Sequence, residues 1–568
     1  MNTYDIAVVG LGPTGLTLAH LLGRRGLSVL VLEREPEFYG NARAVYTDDE
    51  ALRVFQTAGV ADEIHKDMNV DSAVQWVKSD GTTLVQFRET QRPLWWPVVN
   101  FLYQPYLETK LEALLDRYPH VEVRRGREVL GFTQDDAGVT VRHATATGSQ
   151  YGKRENVVDE TTAETARVAY LIAADGGRSV VRTQLGIEMS GKSFPERWLV
   201  VDLEAKDAAG GANSDAFRHL PYFDFVCSPD MPTVSCPQPG GHHRFEFALD
   251  DADDKAYFES DETVRRLISK YVELDRVEVK RQLVYTFNAV TADRWREGRV
   301  LLAGDAAHMT PQFIGQGMNA GVRDADNLSW KLEAVVRHGA DPAILDTYET
   351  ERKPHAMAMI ALSVFNKSLV SIKHPVGAKA RDAAMWTALR IPGLGGWIER
   401  AGMKPRPRFA RGGYLGMPRG VLGAEGTLAP QPVVRRYDGR PIRFDDAVGI
   451  DWAVIGIGVD PRETLGDDMA TWEQVGASFT TVFAPGARPQ GSVGDGRRRV
   501  GLVDLEDTTG ELGRWLGRHR IRSGDVLVLR PDKVVFGAGS DSSVLTAGLR
   551  QCLGLSDPGF VAQPAEAI

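Results

Sequence analysis

Cysteine is scarce in this chain, with three in 568 residues: Cys227, Cys236 and Cys552, no two of them two positions apart. That spacing excludes a disulfide framework, a zinc ribbon and a C-x-x-C redox pair. Long basic runs are missing too, and the net charge of -9 is spread along the chain, which argues against binding nucleic-acid phosphates. No apolar run reaches membrane-spanning length, and the N-terminus enters Tyr4–Val9 without a basic start, an apolar stretch and a cleavage site. The expectation is a cytoplasmic protein with no membrane or nucleic-acid partner, no metal site, and a small molecule as its ligand.

A chain of this length exceeds what one hydrophobic core organises, so two or three domains are expected. Residues 4 to 33 read as strand, glycine turn, helix, strand: an apolar run, then Leu16, Leu18, Ala19, Leu21 and Leu22 at helical spacing, then Val29–Leu32 closed by Glu33. The polar stretch from His143 to Glu164 reads as a loop or a hairpin extension. Between about residues 185 and 290, alternation such as Arg244-Phe245-Glu246-Phe247-Ala248-Leu249 predicts an antiparallel sheet with one covered face. Pro405, Pro407, Gly412, Gly413 and Pro418 mark a linker, and the strands beyond it, such as Asp525–Arg530, predict a small separate α/β domain.

The turn Gly10-Leu11-Gly12-Pro13-Thr14-Gly15 carries the first chemistry. Gly10 permits a tight exit from the strand, Gly12 lets backbone approach a pyrophosphate, and Gly15 lets the helix pack closely. The helix start then offers free N–H groups and a positive dipole end to an anion, and Glu33 stands where a carboxylate meets ribose hydroxyls. This fingerprint serves NAD and FAD alike. Two later segments separate them: Ala174-Asp175-Gly176-Gly177-Arg178, and Gly304-Asp305 continued through Pro311 to Gly315-Gln316-Gly317-Met318-Asn319.

With these three motifs in this order the chain resembles the group A flavoprotein aromatic hydroxylases. Within them it is most similar to the 3-(3-hydroxyphenyl)propionate hydroxylase type, through Arg43-Ala44-Val45, Arg197–Leu203, Trp295–Arg299, Asn327–Leu332 and Tyr348–Arg352. The resemblance implies FAD as cofactor, NADH or NADPH as transient reductant, and O2 as oxidant. The phenolic ring of a small aromatic substrate is then ortho-hydroxylated through a C4a-hydroperoxyflavin. It implies Gly10, Gly12, Gly15, Glu33, Arg34, Arg43, Gln104, Asp175, Gly176, Gly304, Asp305, Pro311, Gly315, Gly317, Met318 and Asn319 as cofactor-binding residues. Pro311, whose carbonyl borders the substrate edge of the flavin in the family, and Arg43 are the candidates for a catalytic role. Many relatives carry a second proline where this chain has Gln312. Beyond the linker the chain looks like the thioredoxin-like C-terminal domain of the phenol hydroxylase branch, lacking a C-x-x-C pair, with a structural or homodimer-related role.

The fold expected is therefore mixed α/β and α+β. A Rossmann-type FAD-binding domain takes residues 1–70, 100–184 and 290–370, and an antiparallel-sheet substrate domain takes 71–99 and 185–289. A helical linker covers 371–420, and a thioredoxin-like domain covers 421–568. Tyr222, Phe225, Phe245 and Phe247 are the substrate-pocket candidates, although ordinary core packing is the commoner role for such strand aromatics. His308 reads as a hydrogen-bonded structural residue, and His243 as a weaker candidate for a substrate carboxylate. Two rival readings stand beside this one: a monooxygenase of a polycyclic natural product or antibiotic, and a flavin-binding scaffold without turnover.

Overall fold

The computed structural model describes residues 2–38, 40, 43–70, 72–148, 157–208, 214–249, 254–415, 423–488 and 502–555. The chain divides into two compact units. The first comprises Met1–Arg92, Trp96–Ala325 and Ala356–Pro405, and the second Pro93–Trp95, Asp326–His355 and Arg406–Ile568. Among the described residues no single helix is long and apolar enough to cross a membrane.

The first unit is built on two large sheets, with a small three-stranded one of Tyr46–Thr47, Asn100–Phe101 and Asn69–Val70. In one, Val300–Leu302, Val157–Ala173, Asn2–Val9, Val29–Glu33 and Val121–Arg125 lie side by side and parallel. Ile6–Val9, Val29–Leu32, Leu171–Ala173 and Val300–Leu302 are fully buried, which is why these strands read as unbroken apolar runs and not as alternation. Helix Pro13–Arg24 follows the first strand, with proline at its first position, where a missing N–H costs nothing. The polar stretch expected to be a loop or hairpin extension is the latter. Gly138–Thr147 pairs antiparallel with Val157–Ala173, the tip between them lying outside the described residues.

The second sheet has eight strands and is antiparallel except where Phe223–Val226 pairs parallel to Val74–Val77. Its long central strands are Met189–Ala205 and Val277–Ala292. One face is covered by helix Asp261–Ile268, with Leu199, Val201, Phe245, Phe247, Val264 and Leu267 in one cluster. The opposite face carries Trp198, Phe223, Phe225, Val234 and Cys236 in a second cluster. Helices Pro375–Arg390 and Leu394–Glu399 follow in the segment expected to be a helical linker.

The second unit holds a seven-stranded mixed sheet. Leu502–Glu506, Ser478–Phe483 and Ala453–Ile457 run parallel, and Val526–Leu529 and Val535–Gly539 continue it antiparallel. Two of the segments quoted above for the resemblance, Asn327–Leu332 and Tyr348–Arg352, meet Arg530 and Asp532 in its interior. Arg530 grips both carboxylate oxygens of Glu351 at 2.6 and 2.9 Å, Lys331 reaches the same carboxylate at 2.9 Å, and Asp532 closes the group on Arg530. Lys331 and Arg530 have no solvent exposure, so each charge must be matched in place.

Candidate active site

All residues of the site lie in the first unit. A side chain on Gly10 would collide with the carbonyl of Ala174, and one on Gly15 with the carbonyl of Gly10, so the turn is closed by contacts only glycine permits. Gly12 differs: nothing stands within 4 Å of where its Cβ would be. It faces a cleft of about 180 Å³ whose walls include Leu11, Glu33, Arg34, Gln104, Asp175 and Gly176. Residues from four separate parts of the sequence thus converge on one hollow over a helix start.

The polar groups of this cleft are held from behind. Glu33 accepts the backbone N–H of Leu11 at 2.7 Å and of Glu35 at 2.8 Å. Arg34 pairs with Glu128 at 3.1 Å. Asp175 spends one oxygen on the N–H groups of Val180 and Val181 at the next helix start, while its Oδ1 is buried without a partner. An orphaned carboxylate oxygen in a cleft asks for a donor from a ligand. Burial raises its pKa. Gln104, expected at the cofactor, lines this cleft. Its Oε1 accepts the N–H groups of Arg43 and Ala44, and its Nε2 donates to Glu108 at 2.7 Å. Glu108, pushed up to about 7 by burial, also lines the cleft. The sequence reading passed over it, although its place one helical turn after Gln104 was a signal.

The second motif packs on the first. Gly304 has φ +60°, and a Cβ there would fall 2.6 Å from Oγ1 of Thr14 in the fingerprint; one on Gly321 would fall 2.2 Å from the same oxygen. Asp305 is exposed, and its carboxyl is raised by desolvation, with Arg43 and His308 opposing. His308 bonds to the buried Asp324 at 2.7 Å and stacks on Trp295, so the structural reading of it stands. The Pro311 carbonyl accepts the Ser363 hydroxyl at 2.6 Å. Gly315, at φ +62°, turns the chain against Tyr46 into helix Gly317–Arg337, where the N–H groups of Gly317, Met318 and Asn319 precede any intrahelical acceptor. The Asn319 side chain ties this start to Thr47 at 2.9 Å. Beneath it a charged cluster that the sequence reading missed joins Asp48, Glu50, Gln316, Arg323 and Lys404.

A second, larger cavity of about 360 Å³ adjoins the same segments. Arg43 lines the first cleft and Tyr46, three residues on, the second. Its walls include Trp76, Phe223 and Phe225 from the sheet and Phe313, Ile314 and Gly315 from the turn. Trp76 stacks on Phe225 at 5.2 Å. Of the substrate candidates only Phe225 is here. Phe245 and Phe247 are a correction: the strand alternates, and they enter the core under helix Asp261–Ile268, leaving Arg244 and Glu246 on the cavity side. Tyr222 is half-buried and outside the lining; its neighbour Phe223 takes the position. His243 is buried against Phe217 and bonds Ser235 at 2.9 Å, on the face away from the cavity.

FAD fits these residues: an open glycine in a nucleotide turn, an orphaned carboxylate oxygen, and a free helix start beside an aromatic-walled cavity. A family model for the FAD binding domain matches residues 3–363, and one for the HcaD C-terminal domain matches 426–551. The 3-(3-hydroxy-phenyl)propionate/3-hydroxycinnamic acid hydroxylase 2 of Burkholderia vietnamiensis is 36% identical over 553 residues, covering 96% of this chain and 95% of that protein. The corresponding hydroxylase of Mycobacterium avium is 34% identical over 580 residues, covering 99% and 96%. Among solved structures, aklavinone-11 hydroxylase with FAD and aklavinone superimposes with a TM-score of 0.75 at 24% identity, covering 98% of this chain and 99% of that one. The monooxygenase PieE with FAD and substrate gives 0.76 at 21%, covering 97% and 99%, and both share the fold. The chain belongs to the family of FAD-binding aromatic hydroxylases and is an FAD-dependent monooxygenase.

Proposed function

We propose that this enzyme ortho-hydroxylates the phenolic ring of a 3-(3-hydroxyphenyl)propionate-like compound, using NADH or NADPH and O2. The observation carrying this reading is the aromatic-walled cavity of about 360 Å³ that shares the segments 43–46 and 311–316 with the cofactor site. The names of the relatives supply the substrate class.

FAD, when bound, accepts the reducing equivalents and delivers activated oxygen to the ring. Gly10, Gly12 and Gly15 admit its pyrophosphate to the helix start, Glu33 and Arg34 receive the adenosine end, and Asp175, Gly176 and Asp305 line the path between. Arg43, held by Gln104, borders the ring system. The N–H groups of Gly317, Met318 and Asn319 favour negative charge on the edge they face. Trp76, Phe223, Phe225 and Phe313 orient the substrate ring and exclude water, which protects reactive oxygen from wasteful release. Pro311, its carbonyl oriented by Ser363, fixes the wall of the turn.

The domain limits given from the sequence serve as the working division for this reading. In the C-terminal unit, the order of Ser478–Phe483, Ala453–Ile457, Val526–Leu529 and Val535–Gly539, with the first pairing parallel and the next two antiparallel, supports a thioredoxin-like core. With Cys552 as the one cysteine of its sequence it has no dithiol chemistry, and a structural or homodimer role fits it better.

A second reading has one observation in its favour. A cavity of about 150 Å³ already holds benzene, so this one has room for more than a single ring, as a polycyclic substrate needs. Phenol-stimulated oxidation of NAD(P)H across hydroxyphenylpropionates and polycyclic quinones decides between them. Stimulation by the former alone is expected; stimulation by polycyclic compounds alone overturns the substrate class.

A further inference from the structure

We propose that Glu246 is the group that accepts the phenolic proton of the substrate, with Gln312 holding it in position. This rests on the phenol-hydroxylase reading above and names the residue that makes the ring reactive.

Hydroxylation by electrophilic oxygen needs an electron-rich ring, and a phenol, with a pKa of about 10 in water, becomes far more nucleophilic once its proton leaves. A proton acceptor must therefore border the cavity. Glu246 sits opposite Val234, which sits opposite Phe225, and side chains at directly paired positions share a sheet face. Its face is thus that of Phe223 and Phe225, which line the cavity. The carboxylate receives the side-chain amide of Gln312. Gln312 in turn precedes Phe313, Ile314 and Gly315, three further lining residues. The pair thus joins the cavity's sheet face to its turn, with Gln312 directly beside the lining residue Phe313.

The electrostatics suit the task. Arg244 stands 4.0 Å from Glu246 and bonds Asp202 at 2.6 Å; Arg281 approaches the other oxygen of Asp202 at 2.8 Å. Arg244 and Arg281 thus both bring positive charge to the cluster beside Glu246. Burial pushes the Glu246 carboxyl up to about 7, while Arg244, Arg281 and Gln312 pull it down and Asp202 adds to the rise. On the neighbouring strand Cys236 is buried and neutral, its thiol raised well above its ordinary range. A base poised near neutrality both exists in its charged form and binds the proton it takes.

In the step itself the phenolic O–H bond breaks and its electron pair stays on the oxygen. The proton forms a bond to a carboxylate oxygen of Glu246 and no electron is exchanged. Negative charge moves from Glu246 to the phenolate, so the total charge in the cluster is unchanged.

The test uses the FAD-loaded full chain with 3-hydroxyphenylpropionate and ring-fluorinated analogues of falling phenol pKa, and measures kcat against pH. In Glu246→Gln, kcat with the parent phenol is expected to fall by about 10²-fold or more, and the acid limb of the profile to vanish. The ratio of wild type to variant is expected to shrink toward one as the phenol becomes acidic enough to ionise unaided. Glu246→Asp keeps the acid limb. Gln312→Leu, which removes one stabilising donor, moves that limb to higher pH and serves alone if Glu246→Gln does not fold. A loss that is the same for every phenol, or an acid limb unmoved in Gln312→Leu, overturns the role of Glu246. Wild-type enzyme that hydroxylates none of the series overturns the phenol reading instead.

Discussion

Gln104 accepts the backbone N–H groups of Arg43 and Ala44 with a single side-chain oxygen, at 2.7 and 2.5 Å. One residue at a helix start therefore fixes the segment that carries both the cofactor-side arginine and the cavity-side Tyr46. In Gln104→Met the two donors lose their acceptor, at a cost of about 1–3 kcal/mol if they stay unsatisfied. FAD is expected to bind about tenfold more weakly, as read by fluorescence titration of the apoprotein. An unchanged affinity would show that the segment is held by other contacts.

Thr14 links the two glycine motifs. Gly321→Ala drives a methyl group into its hydroxyl, and overpacking of this kind costs about 1–3 kcal/mol. The thermal midpoint and FAD content should both fall, and Thr14→Ala in the same chain should restore most of each. Failure of the second change to help would place the strain elsewhere.

In the C-terminal unit, Glu351→Ala takes from Lys331 its carboxylate partner in a site without solvent and leaves Arg530 only Asp532. Removing one partner of a buried pair costs about 3–5 kcal/mol, and a denaturant melt should show a loss of that order. A loss below about 1 kcal/mol would mean that water enters the cluster.

Burial lowers the His243 pKa to about 3, against an ordinary value of 6.5, so the folded chain keeps it neutral where the unfolded chain is protonated. The unfolded state then binds more protons between these values, and stability falls as pH drops below 6.5. The share of His243 is about 1 kcal/mol between pH 6.5 and 5.5. His243→Gln should flatten this part of the stability profile; an unaltered slope would assign it to other groups.

The nucleotide side was the most legible in the sequence because its determinants are backbone-level. Glycines at Gly10, Gly15 and Gly304 are required by contacts that any Cβ would violate, so residue type alone reports the geometry. The substrate side was legible only to within one residue. Alternation along His242–Ala248 announced a strand with two unlike faces, but which face met the cavity depended on the distant helix Asp261–Ile268 covering Phe245 and Phe247. Gln104 and Pro311 were found by position, while their bonds to Arg43 and Ser363 arise between segments 61 and 52 residues apart and leave no local trace. The Arg530, Glu351 and Lys331 cluster was visible only as separate short motifs.

The most direct test of the central claim is oxygen incorporation. FAD-loaded enzyme, NAD(P)H and 3-hydroxyphenylpropionate are incubated under isotopically labelled O2, and the product is weighed by mass spectrometry. The expected product is a ring carrying one labelled hydroxyl group, formed only when reductant, flavin and phenol are all present. Phenol that speeds no NAD(P)H oxidation, or a product whose new oxygen comes from water, would contradict it.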